Sequence, residues 1–283
     1  MLAQRQVRRP ARALAPRMAS AIMRRPRMIP DNLHIGPIPI HIFGIFLALG
    51  FLAASHVLGR ELERKGWDAV HASSVIVWAA VGGLLGARLW LVLEGWSEFV
   101  RAPADFLLTG GGFVWYGGLV GGTLAVSLYF RRHGIPWLVG ADAVAPALAL
   151  GQAIGRIGCQ LSGDGDWGSE TTLPWGMAYP HAVVGWDKPP GVVVHPTPIY
   201  EMVMYLGIFA LLWARRTRAV PDGSQIAWYC VLHGTARFLV EFVRINPEVA
   251  LGLSAAQLMS LALVAAGAGM LLWTRRAWQP AAA

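Results

Sequence analysis

The chain has 283 residues, 55% of them hydrophobic and 14% charged, with 33 glycines and 13 tryptophans; this composition excludes a soluble globule, a disordered chain and a fibrous repeat. Its two cysteines, Cys159 and Cys230, cannot build a disulfide framework, and its eight histidines lack ligand spacing, so no metal is implied. The net charge of +8 comes from residues 1–27, which hold eight arginines and no acid, whereas 28–283 is neutral, so no nucleic-acid partner is implied. That basic tail has no apolar stretch of the secretory kind, and Met28 reads as an alternative translation start. The fold is therefore read from residues 28–283.

A helix needs about 20 apolar residues to cross the hydrocarbon of a bilayer. Seven windows meet that length: 38–58, 71–93, 111–130, 137–161, 196–214, 224–243 and 252–273. The expected fold is an all-α integral membrane protein of seven transmembrane helices. Lys and Arg in short loops stay cytoplasmic. Basic groups follow the odd-numbered windows (Arg60, Arg64 and Lys65; Arg131 and Arg132; Arg215, Arg216 and Arg218; Arg275 and Arg276), whereas the other connections carry one each, Arg101, Lys188 and Arg244. The N-terminus of the bundle is thus expected outside and the C-terminus in the cytoplasm. The connection 162–195, rich in Gly, Pro, Asp and Trp, is too long for a turn and reads as an outer-side lid, binding loop or cap. No internal repeat is visible, which weakens a transporter reading.

Ionisable groups at bilayer depth cost on the order of 3 kcal/mol each and must face protein or water. In the fourth window Gln152, Arg156 and Cys159 share a helix face beside a stripe of Gly151, Gly155 and Gly158. The sixth carries His233, Arg237, Glu241 and Arg244 along one stripe, and Arg237 with Glu241 is spaced for an internal ion pair. The fifth opens with His195, two prolines and Glu201; Arg88 lies in the second and Tyr116 in a glycine-rich opening of the third. Each has a plainer use, as a snorkelling arginine, a helix cap or an interface aromatic. Asp142 is expected to have a structural partner. Together they form a site toward the outer half with surplus positive charge, suited to the phosphate of an anionic phospholipid.

At these residues the chain resembles the prolipoprotein diacylglyceryl transferase family over residues 33–273. The resemblance rests on Gly155-Arg156-Ile157-Gly158 continuing to Gly163, His195-Pro196-Thr197-Pro198-Ile199-Tyr200-Glu201, the run Gly234 to Arg244, and Gly117-Gly118-Leu119. It departs from the family at Tyr116 (commonly His), Cys159 (Asn), Phe43 (often Tyr) and Asp164, in a stretch that usually holds Glu. The resemblance implies a multi-pass enzyme of the bacterial inner membrane with its active site toward the outer leaflet. It implies transfer of the diacylglyceryl group of phosphatidylglycerol to the lipobox cysteine of a prolipoprotein signal peptide, with no cofactor. Catalytic roles fall on Arg156, Arg237, Glu241, Tyr116 and His195. Substrate contacts fall on Arg156, Arg88, Glu201, Cys159, Gly158, Asp164 and Arg244, with Cys159 read as a small packing residue rather than a nucleophile. A paralogue with another acceptor and a non-enzymatic lipid-binding or transport protein are the competing classes.

Overall fold

The computed structural model describes residues 32–35, 38–101, 103 and 115–277. The tail 1–27, Met28 and the glycines at 111 and 112 lie outside the described residues. In chain order the elements are β1 (Asn32–Ile35), β2 (Ile38–His41), α1 (Ile42–Arg64), α2 (Val70–Glu94), α3 (Trp96–Arg101) and α4 (Trp115–Arg132). There follow α5 (Trp137–Ser162), α6 (Thr197–Arg215), α7 (Ser224–Glu241), β3 (Glu248–Ala250), β4 (Leu253–Ser254) and α8 (Ala255–Ala277).

Five of these, α1, α2, α5, α6 and α8, are long and apolar enough to cross a membrane. The 18-residue α4 and α7 fall short, because α4 ends on Arg131 and Arg132 and α7 carries His233, Arg237 and Glu241. Two expected boundaries are corrected. The window 38–58 begins in β2, which pairs antiparallel with β1, and its helix starts only at Ile42; Pro39 disfavours helix in the residue before it and lacks an N–H. The window 252–273 likewise begins in the β3–β4 hairpin, whose turn uses Leu251 and Gly252 at φ 56° and 70°.

Small residues set the helix spacing. A Cβ on Gly86 would strike the carbonyl oxygen of Gly117, and one on Gly121 that of Gly82, so α2 and α4 meet backbone to backbone. On the other side α1 packs against α5, where a Cβ on Gly50 would lie 3.0 Å from the Gly151 oxygen and one on Gly158 3.1 Å from Phe46. The stripe read from the sequence is therefore real at Gly151 and Gly158, whereas a Cβ on Gly155 would meet nothing within 4 Å. Helix α5 is the centre of the bundle: Ala143, Ala145, Ala147, Ala149 and Ala153 are buried between α1 on one side and α6 and α7 on the other. Outward, Leu84, Leu85, Leu89 and Leu93 of α2 are mostly exposed, as a lipid-facing surface requires.

At one end of the bundle Asp142 accepts backbone N–H bonds from Gly223, Gln225 and Ile226 at 2.8–2.9 Å, closing the start of α7. This is the structural partner expected for it. Nearby, buried Glu61 holds Arg64 at 2.7 Å and Arg216 at 3.4 Å.

Candidate active site

Successive helices alternate in direction, so the end of α5, the start of α6 and the end of α7 come together at the opposite end of the bundle. Gly163, at φ 63°, ends α5 and turns the chain away, since a Cβ there would collide with Ala182. Pro198 in the first turn of α6 suits a helix start, and the Thr197 hydroxyl donates to the Asp166 carbonyl.

Six charged groups meet at this end. Glu201, fully buried, has Arg156 Nε 3.0 Å from Oε2, Arg237 NH1 3.5 Å from Oε1 and Arg244 NH1 3.7 Å from Oε2. Arg237 NH1 also lies 2.6 Å from Glu241, the ion pair its spacing predicts. Asp166 is held by Arg156 and by Arg244 NH2 at 2.6 Å. Ser254 and Asn246 donate to Glu241 Oε1 at 2.7 and 2.6 Å. Three guanidiniums thus face three carboxylates, which corrects the surplus positive charge read from the sequence. Arg244 and Asp166 complete the set, while Arg88 stands on α2.

Beneath the ion pairs lies an aromatic stack. His233 lies between Tyr205 and Tyr229, with ring centroids 5.0 and 5.2 Å away. Tyr205 reaches Glu201 Oε1 at 3.3 Å, and Tyr229 donates to Gln152 Oε1 at 2.8 Å.

The connection 162–195 folds as a cap with its own core of Trp167, Tyr179 and Val194, against which Trp186 packs. Backbone bonds tie it down: Gly168 N–H to His195 O at 2.8 Å and Ser169 N–H to Val243 O at 2.8 Å. A Cβ on Gly168 would strike the Val243 carbonyl, so only glycine permits this approach. Burial opposes ionisation of Asp166, but the guanidiniums of Arg156 and Arg244 override it and hold its carboxyl below the usual range. Burial pushes the Tyr179 phenol up to about 12, and that phenol donates to Gln160 Oε1 at 3.0 Å.

Of the residues singled out in the sequence, the structure brings Arg156, Arg237, Glu241, Glu201 and Arg244 into one cluster. Cys159 is buried with Sγ 3.7 Å from Arg156 NH1, and Gly158 is a contact with α1. Asp164 accepts from the Asp166 N–H at 3.2 Å, and Asp166, two residues on, is the carboxylate that meets the arginines. Donor atoms of Cys159, Asp164 and Asp166 lie within 4.8 Å of one another, but both Asp166 oxygens already carry guanidiniums. His195 is half-buried beside the cluster, its Nδ1 3.2 Å from the Tyr200 hydroxyl, which also accepts from Trp175 Nε1 at 2.8 Å. Tyr116 is half-buried on α4, in the glycine-packed pair with α2. The sequence reading missed Asp166, Asn246 and Ser254 because nothing in their spacing links the loops to the helices; the doubled acid at 164 and 166 was the available signal.

Comparison with known proteins accords with this architecture. A profile of the prolipoprotein diacylglyceryl transferase family matches residues 30–273. A protein of Clostridium tetani is 32% identical over 242 residues, 85% of this chain and 95% of its own. One of Bordetella bronchiseptica is 33% identical over 267 residues, covering 89% and 97%, and one of Leptospira interrogans is 34% identical over 233 residues, covering 73% and 72%. All three are named phosphatidylglycerol–prolipoprotein diacylglyceryl transferase. With the match spanning nearly the whole described bundle, the chain belongs to the prolipoprotein diacylglyceryl transferase family.

Proposed function

We propose that the chain transfers the diacylglyceryl group of phosphatidylglycerol to the thiol of the lipobox cysteine of prolipoproteins. The observation that carries this reading is the cluster of Arg156, Arg237 and Arg244 on Glu201, Glu241 and Asp166, in a chain whose relatives bear that name. In the reaction the cysteine sulfur attacks the glyceryl carbon bonded to the phosphate oxygen. The C–S bond forms, the C–O bond breaks, glycerol phosphate leaves, and the thiol proton passes to a base.

Arg156 and Arg237 hold the phosphate and neutralise the charge that develops on it, and Glu241 fixes the direction of Arg237. The Asp166 side chain is 29% exposed, against 0% and 1% for Glu201 and Glu241, so it is the carboxylate an incoming phosphate can replace on Arg156 and Arg244. Glu201 stays in place as the common anchor. His195 or Tyr116 takes the thiol proton. Arg88, Asp164 and the space beside Gly155 contribute to the lipid path, and the cap selects the acceptor. The chain crosses the bacterial cytoplasmic membrane seven times with its N-terminus outside, which sets the cluster at the outer leaflet. The alternation of basic loops supports that orientation.

The test incubates purified protein in phosphatidylglycerol micelles with a lipobox peptide. A diacylglyceryl mass gain on cysteine with released glycerol phosphate is expected, and none on the Cys→Ser peptide. Lipid binding without either product overturns the reading.

A further inference from the structure

A second polar cleft lies between α1 and α2, far from the arginine cluster. Phe46 of α1 packs on Gly158, close to Arg156 in sequence, whereas Arg60 stands 14 residues further along the same helix, about 21 Å away at about 1.5 Å per residue. The cleft is a shallow, open depression of about 540 Å³ on the surface of the two helices. Its floor is made of small residues: a Cβ on Gly59 would rest 3.6 and 3.7 Å from the Cβ atoms of Ala69 and Ala72.

The walls grade in polarity along α1. Leu52, 68% exposed, lies at one end; Ser55 and His56 follow, with Ser73 across on α2, and Arg60 and Glu63 line the other end. His56, Arg60 and Glu63 recur at i, i+4 and i+7 and so share one stripe. Arg60 and Glu63 are three residues apart, a spacing at which opposite charges can pair. Neither side chain has an ion pair or hydrogen bond among the described residues, although neighbouring Glu61 and Arg64 pair with each other and Lys65 pairs with Asp142 and Asp222. One unpaired cation and one unpaired anion therefore line the same cleft.

We propose that this cleft binds one phospholipid of the cytoplasmic leaflet whose headgroup carries both a phosphate and a primary ammonium. The phosphate sits on Arg60, the ammonium on Glu63, the ester region beside Ser55 and His56, and an acyl chain along Leu52. From Leu52 to Glu63 is about 16 Å along the helix, enough to run from acyl chain to headgroup. An anionic glycerol headgroup supplies nothing cationic for Glu63, and a quaternary ammonium has no N–H to donate to it. The binding goes beyond the transferase reading and shares with it only the orientation of the bundle.

The test measures, by native mass spectrometry, retention of phosphatidylethanolamine, phosphatidylcholine and phosphatidylglycerol of matched chains, each offered at equal concentration. Phosphatidylethanolamine is expected to be retained most strongly by the fraction of binding that Arg60→Ala abolishes, which separates this site from donor lipid at the arginine cluster. Glu63→Gln should weaken phosphatidylethanolamine retention by about tenfold or more, the size of one charge-assisted hydrogen bond, and leave phosphatidylcholine unchanged. Arg60→Lys, which keeps the charge, should retain most binding, and diacylglyceryl transfer should persist in both Arg60→Ala and Glu63→Gln. Phosphatidylethanolamine retention unchanged in both variants overturns the proposal. So does an Arg60-dependent fraction that takes phosphatidylglycerol as strongly as phosphatidylethanolamine.

Discussion

Arg156 Nε lies 3.0 Å from Glu201 Oε2, joining the end of α5 to the start of α6 through a carboxylate with no solvent exposure. Removing one partner of a buried pair leaves an uncompensated charge, at a cost of about 3–5 kcal/mol. Glu201→Ala should therefore lower the unfolding temperature in detergent markedly. Arg156→Ala and Arg237→Ala should keep their helical circular dichroism and lose transfer by about 10²-fold or more. Full turnover in either arginine variant would remove it from the reaction.

The thiol proton has two candidate acceptors in different settings. His195 already shares its Nδ1 with Tyr200, so Tyr200→Phe frees that nitrogen without touching the arginines. If His195 is the base, His195→Gln flattens the acidic limb of the kcat/KM pH profile, Tyr200→Phe shifts that limb, and Tyr116→Phe does neither. The reverse pattern assigns the proton to Tyr116.

The guanidiniums of Arg156 and Arg244 outweigh the burial of Asp166 and hold its carboxyl below the ordinary carboxylate range. A depressed folded pKa gives stability that is present above the unfolded value and lost as pH falls through the folded one. Hydrogen exchange in residues 163–195 should then stay slow at pH 5 and quicken only below about pH 4. Asp166→Asn should quicken it already at neutral pH and remove the acid step; unchanged protection would show that the cap does not depend on this pair.

Two glycines should behave oppositely. Gly86→Ala drives a methyl into the Gly117 carbonyl and should cost about 1–3 kcal/mol by forcing α2 from α4. Gly155→Ala meets nothing within 4 Å and should unfold no earlier than wild type. Because that space adjoins Arg156, a raised KM for lipid in Gly155→Ala marks it as substrate volume; an unchanged KM marks it as lipid-facing surface.

Asp142 satisfies three N–H groups at the start of α7. Asp142→Ala should cost about 1–2 kcal/mol, as loss of a helix cap does. Transfer by the surviving folded fraction should be unchanged, since the cap lies at the end away from Arg156.

The sequence by itself determined the helices, because a 20-residue apolar stretch has few other structures available and because loop charge alternates along the chain. It also singled out Arg156, Arg237, Glu241 and Glu201, since a charge inside an apolar helix needs a nearby reason, and these side chains meet in the folded chain. It could not set helix starts at residues 42 and 255, where short hairpins take up the first apolar residues of each window. Nor could it find Asp166, Asn246 or Ser254, or show that the cluster balances three cations with three anions. Those partners come from loops distant in sequence, and their approach depends on Gly163 and Gly168 turning the cap back onto the helix ends. Periodicity reports which face of one helix is polar; which charges meet across helices is decided only when close packing fixes their separation, because ion pairing and desolvation both change steeply over a few ångströms.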